Sequence, residues 1–144
     1  MSNTSLYDGP MVQPMNVLVA DDEPTNVEVI ATILASIGHA VATSTDGQEA
    51  LSLCQEWAKA GEPFDLVVLD VYMPVMNGLD VVKRLREDEL TSSVPILCCS
   101  ARAGRPDVER GLSVGCDHYL TKPFRRSDFI AAIELTLQAA ENRG

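Results

Sequence analysis

Short runs of consecutive apolar residues recur along this chain, separated by longer stretches whose apolar positions fall at helical spacing. NVLVA (16–20), HAVATS (39–44), FDLVVLD (64–70), VPILCCS (94–100) and part of CDHYLTKPF (116–124) read as strands. Their apolar residues are continuous rather than alternating, as in strands covered on both faces. Between the first two, Val27, Ile30, Ala31, Leu34 and Ile37 predict a helix over 24–37, with Pro24 in its first turn and Gly38 ending it. Residues 46–61 predict a second helix, capped by Asp46, with Ala50, Leu51, Cys54, Trp57 and Ala58 inward. A third covers 77–88 with Leu79, Val82 and Leu85 inward, and a short fourth covers 105–115. The last, over 127–141, has Ser127 as its cap and Phe129, Ile130, Ile133 and Leu137 on one face. Five strands alternating with five helices predict an α/β fold, a parallel sheet between two helix layers.

Composition narrows the function without naming it. At 144 residues the chain suits one domain. Residues 1–14 are polar with two prolines and read as a flexible leader, 15–141 as the domain, and 142–144 as a tail. The formal net charge of −10 argues against nucleic acid or an anionic membrane as a direct partner. The four cysteines, 54, 98, 99 and 116, lack metal-binding spacing and read as buried hydrophobes in a reducing compartment. No apolar run approaches the ~20 residues of a membrane span, and no signal peptide is visible, so a cytoplasmic location is expected.

The chemistry gathers at strand ends. The first strand ends at Asp21-Asp22, the third at Asp70, the fourth at Ser100, and the fifth at Thr121-Lys122-Pro123. In open α/β sheets, ligands bind outside the carboxyl ends, where the strand order reverses. In the order 2-1-3-4-5 that point brings Asp21 and Asp22 against Asp70. Such carboxylates repel one another unless a cation sits among them, and magnesium suits oxygen ligands of this kind. A lysine and a hydroxyl complete a site for a phosphoryl group, and an aspartate can itself be the nucleophile.

Four stretches in order, VADDE, VVLDVYMPVMNG, CCSA and YLTKPF, together resemble the receiver domain of two-component response regulators over roughly residues 15–140. The resemblance implies a flavodoxin-like, three-layer (βα)5 sandwich. It makes Asp70 the phosphoacceptor and Asp21 and Asp22 the magnesium-holding pair, Asp22 more directly, with the backbone carbonyl of Tyr72 as a further ligand. Ser100 matches the switch hydroxyl and Tyr119 the aromatic that moves with it. Lys122 matches the family's lysine, and the Lys122–Pro123 bond would be cis. Tyr72 and Arg102 stand where side chains flank the attacking water, so they are expected to lengthen the phosphoryl lifetime. The implied donor is a histidine kinase or a histidine phosphotransfer protein, and the product a monomer or a phosphorylation-dependent dimer. The DDEPTN and MPVMNG wording leans toward receivers of hybrid histidine kinases.

Other readings fit less well. A phosphatase of the haloacid dehalogenase type needs a second aspartate two residues after the nucleophile, where this chain has Tyr72. A flavodoxin-like cofactor binder needs a hydroxyl- and glycine-rich loop after the first strand, where DDEPTN stands. The alternative kept is a receiver-like interaction module that works without phosphorylation. On the first helix, the wheel leaves Val29 outward and Ile33 at the edge beside Asn26, an apolar strip expected to receive the phosphodonor's helices.

Overall fold

The computed structural model describes residues 13–143. Most of the expected leader lies outside the described residues; Gln13 and Pro14 are exposed and irregular. The elements alternate strictly: β1 (Asn16–Ala20), α1 (Pro24–Ser36), β2 (Ala40–Ser44), α2 (Gly47–Lys59), β3 (Leu66–Asp70), α3 (Gly78–Glu87), β4 (Ile96–Ser100), α4 (Arg105–Val114), β5 (His118–Thr121) and α5 (Arg126–Arg143). The strands form one sheet in the order β2-β1-β3-β4-β5. All neighbours are parallel. This is the flavodoxin-like sandwich, with its order reversing between β1 and β3.

Strand parity divides the core into two layers. Leu18, Ala20, Val67, Leu69, Ile96 and Cys98 pack with Ala50, Leu51 and Cys54 of α2 and Val81, Val82 and Leu85 of α3. Val17, Val19, Leu66, Val68, Leu97 and Cys99 face the other way, onto Val27, Ile30 and Leu34 of α1 and Phe129, Ala132 and Ile133 of α5. The adjacent Cys98 and Cys99 therefore serve opposite layers. All four cysteines are buried and free. Burial pushes the Cys54 and Cys99 thiols to about 12, far from a reactive thiolate.

Local chemistry sets most helix starts. Pro24 opens α1. The Asp46 carboxylate accepts the Glu49 N–H at 2.7 Å, and the Asn77 side chain accepts the Asp80 N–H at 3.0 Å. The last helix departs from expectation at both ends. It begins at Arg126, so Ser127 lies inside it, and the Asp128 carboxylate reaches back to the Arg125 N–H at 3.1 Å instead. It continues past Glu141 through Arg143, because the Arg143 guanidinium reaches the buried Asp117 carboxylate at 2.7 Å. Helical spacing found the inward faces but not their full width. In α3 Leu79 packs against the core at its edge while Val81, not expected, is buried, and in α5 Leu137 packs at the edge and Ile130 is partly covered while Ala132 and Thr136 are buried.

Candidate functional site

Two adjacent strands deliver the acidic residues. Asp21 follows the last residue of β1, and Asp70 is the last residue of β3; the two strands are paired, Ala20 opposite Leu69. Oxygens of Asp21, Asp22 and Asp70 lie within 4.8 Å of one another. Asp21 and Asp70 are buried, whereas Asp22 is exposed. The Asp21 carboxylate also accepts the N–H of Glu23 at 3.0 Å, which ties it to the start of α1. Across the crevice Lys122, just beyond β5, places its Nζ 2.5 Å from Asp21 and 3.4 Å from Asp70. The lysine thus pairs chiefly with Asp21, a preference that the sequence did not disclose. The Lys122–Pro123 peptide is cis.

Electrostatics follows from that crowding. Burial raises the Asp70 carboxyl to about 6; Lys122 opposes the shift, while Asp21 and Asp22 add to it. Burial alone would lower the Lys122 ammonium, but its hydrogen bond to Asp21 and the charges of Asp70 and Asp21 carry it above the ordinary lysine value. The site therefore holds a firmly protonated lysine beside a carboxylate with too little counter-charge. Three hard oxygen donors converging around unmet negative charge, one of them open to solvent, fit a magnesium ion.

Backbone packing holds Asp70 in place. Gly78 opens α3 against the end of β3, and a Cβ there would strike the Asp70 carbonyl and come within 2.9 Å of the Val71 Cα. Only glycine permits so close an approach. The Gly78 N–H donates to the Val71 carbonyl at 2.7 Å and closes the Tyr72–Asn77 loop. That loop carries Tyr72, whose ring is exposed and stacks on the Arg102 guanidinium at 4.9 Å.

Ser100 and Tyr119 meet beside this loop. Ser100 is fully buried at the end of β4, and its Oγ accepts the Arg102 N–H at 3.0 Å. Tyr119 is buried on the neighbouring strand, and its hydroxyl donates to the Arg102 carbonyl at 2.7 Å. Burial raises the Tyr119 phenol, while a hydrogen bond with Ser100 pulls it the other way.

Beside Lys122 runs an open groove lined by Asn26, Val29, Ile30, Ala101, Pro123 and Phe124. Val29 is exposed and Asn26 partly so. Ile33 does not line this groove; it packs against the core layer beneath α1. Sequence reading missed Phe124 and Pro123 as walls, because nothing in linear spacing brings the segment after β5 to α1.

The match to known proteins follows this geometry. Residues 17–134 match the response regulator receiver domain. The DNA-binding response regulator MtrA of Mycolicibacterium smegmatis is 36% identical over 126 residues, covering 88% of this chain and 52% of that protein. The alkaline phosphatase synthesis transcriptional regulatory protein SphR of Synechococcus elongatus is 36% identical, covering 93% of this chain and 53% of its own length. The chain thus spans about half the length of these curated relatives. The chemotaxis response regulator CheY4 of Vibrio cholerae superposes with a TM-score of 0.79 at 30% identity, covering 87% of this chain and all of that one. The receiver domain of a Pseudomonas aeruginosa sensor histidine kinase, with a magnesium ion coordinated in its active-site cleft, superposes with a TM-score of 0.77 at 28% identity, covering 88% and 99%. With its acidic cluster at the switch point of the sheet, the chain belongs to the response regulator receiver domain family.

Proposed function

We propose that this receiver takes a phosphoryl group onto Asp70 from a phosphohistidine of a histidine kinase or histidine phosphotransfer protein, and that the transfer changes its affinity for a downstream protein. The observation that carries this reading is the meeting of Asp21, Asp22 and Asp70 with Lys122 at one end of the sheet. An Asp70 oxygen bonds to phosphorus as the phosphorus–nitrogen bond breaks, and the imidazole leaves with the electron pair. A carboxyl pushed to about 6 is mostly ionised at neutral pH and keeps a basic, poorly solvated oxygen for the attack. A magnesium ion, when bound by Asp21, Asp22, Asp70 and the Tyr72 carbonyl, with Asp22 the more direct of the acidic pair, supplies positive charge for the phosphoryl oxygens. Lys122 supplies a second charge and holds Asp21 in place. The Ser100 hydroxyl, whose oxygen accepts the Arg102 N–H, turns to donate its proton to a phosphoryl oxygen, and Tyr119 shifts with it as a two-state equilibrium.

The test is incubation with acetyl phosphate, with and without magnesium, followed by intact mass and comparison with Asp70→Asn. A magnesium-dependent adduct confined to the wild type is expected. No adduct under conditions that label an authentic receiver would leave an interaction module that works unmodified.

Two finer expectations accompany this. Val29 stands exposed on the groove beside Lys122, so Val29→Asp should slow transfer from the cognate donor while sparing labelling by acetyl phosphate. Equal loss in both assays would remove the docking role. The stacked Tyr72 and Arg102 side chains shield the acyl phosphate from water, so Tyr72→Ala and Arg102→Ala should each speed its hydrolysis severalfold in a mass-resolved decay. Unchanged decay in both would count against shielding.

A further inference from the structure

The three strand ends around the site converge on one loop residue. Arg102 stands in the short segment joining β4 to α4, and each of its groups has a separate hold. Its N–H donates to Ser100 of β4 at 3.0 Å, its carbonyl accepts from Tyr119 of β5 at 2.7 Å, and its guanidinium stacks on Tyr72 just beyond β3 at 4.9 Å. Two of these partners are buried; the third, Tyr72, is on the surface.

We propose that Tyr72 is a positioning residue for the switch: by holding the Arg102 side chain it keeps the Arg102 carbonyl where it anchors the buried Tyr119, and so biases the switch before any phosphoryl group arrives. This rests on the reading of Ser100 and Tyr119 as the moving pair.

The reasoning is mechanical. Only residues 101–104 separate β4 from α4, and the Arg102 guanidinium ties this segment to the far side of the site, so releasing it frees the Arg102 backbone to move. A tyrosine hydroxyl that loses the Arg102 carbonyl keeps Ser100 alone as a partner in a largely buried place, which shifts the balance toward an outward ring. The inward ring has its own requirement in α4. A Cβ at Gly111 would stand 2.8 Å from the Tyr119 Cδ2 and 3.0 Å from its Cε2, so the inward state needs a glycine there. A glycine inside a helix is otherwise unfavourable. Gly111 and Arg102 thus serve the same tyrosine at different atoms, one by leaving room for the ring edge and the other by offering the hydroxyl an acceptor. A cation–π contact at an exposed site corresponds to about a two- to fivefold change in a two-state population.

The chain has three tyrosines, Tyr7, Tyr72 and Tyr119, so fluorotyrosine labelling gives a fluorine spectrum that Tyr119→Phe assigns. The unphosphorylated wild type is compared with Tyr72→Ala, Tyr72→Phe, Arg102→Ala and the double alanine variant. Gly111→Ala, which crowds the ring directly, marks the displaced position in a folded chain. Each single alanine variant is expected to move the Tyr119 signal toward that position by about a two- to fivefold change in population, the double variant no further, and Tyr72→Phe not at all. An unmoved signal in both alanine variants, additive shifts in the double variant, or an equal shift in Tyr72→Phe would each overturn the proposal. Beryllofluoride with magnesium is then added to the wild type. No response there would overturn the phosphoryl switch instead, while the unphosphorylated comparison still decides the role of Tyr72.

Discussion

Asp70→Asn should abolish the acetyl phosphate adduct and at the same time make the metal-free protein more stable at neutral pH. The first effect follows from removing the attacking oxygen. The second follows from the cost of holding that oxygen ready. In the fold the Asp70 carboxyl is raised from 3.8 to about 6, chiefly by burial, with Asp21 and Asp22 adding and Lys122 offsetting part. A raised carboxyl binds its proton more tightly in the folded chain than in the unfolded one. Its favourable contribution is complete below about pH 4 and is lost as pH rises through about 6. Two units correspond to at most about 3 kcal/mol, and the partial solvation of the crevice reduces that to about 1–3 kcal/mol. Urea midpoints of the two proteins in a chelator should therefore converge near pH 4 and separate by that amount at pH 7. Parallel curves would mean that Asp70 carries no such burden. Magnesium should narrow the gap by stabilising the wild type, because a ligand that binds only the folded chain adds to its stability.

Arg86→Met should cost about 3–5 kcal/mol of stability without touching the site. The Asp117 side chain is 1% exposed and that of Arg86 15% exposed. Arg86 Nη2 donates to Asp117 at 3.0 Å, and the same guanidinium donates to the carbonyls of Gly115, Ser92 and Val94. Asp117 also accepts the Ile96 N–H at 2.9 Å and both contacts from Arg143. This cluster fastens the starts of β4 and β5 to α3 and to the end of α5, at the opposite end of the sheet from Asp70. Methionine keeps the aliphatic stem, so the loss isolates the charge and its hydrogen bonds. Asp117→Asn combined with Arg86→Met should recover part of the loss, since the buried charge left with Arg143 as its remaining cation is gone. Denaturant midpoints read both outcomes, and a loss under 1 kcal/mol in Arg86→Met would show that Arg143 alone satisfies Asp117.

Much of the site was legible because its residues occupy strand ends. Apolar runs on both faces marked the strands, and parallel strands put their carboxyl ends on one edge, so Asp21, Asp22, Asp70, Ser100 and Lys122 had to lie along it. Capping was legible at Asp46, which accepts the N–H three residues on at 2.7 Å, while the same role of Asn77, at 3.0 Å, appeared only in the structure, which starts the helix after it rather than at it. Ser127 misled because the helix begins one residue earlier, at Arg126, and the Asp128 carboxylate inside it reaches back to the Arg125 N–H.

The linear order of residues by itself therefore determined the layers, the edge on which the chemistry stands and the acidic identity of the crevice, since strand period and helix caps act over a few residues. Only the tertiary structure decided which partners meet. Lys122 chose Asp21 over Asp70 across 101 positions, Arg86 found Asp117 across 31, and Arg102 came to lie between Tyr72 and Tyr119. Those pairings depend on how strands stack side by side and on which charges burial forces together, and neither is encoded in any short stretch of the chain.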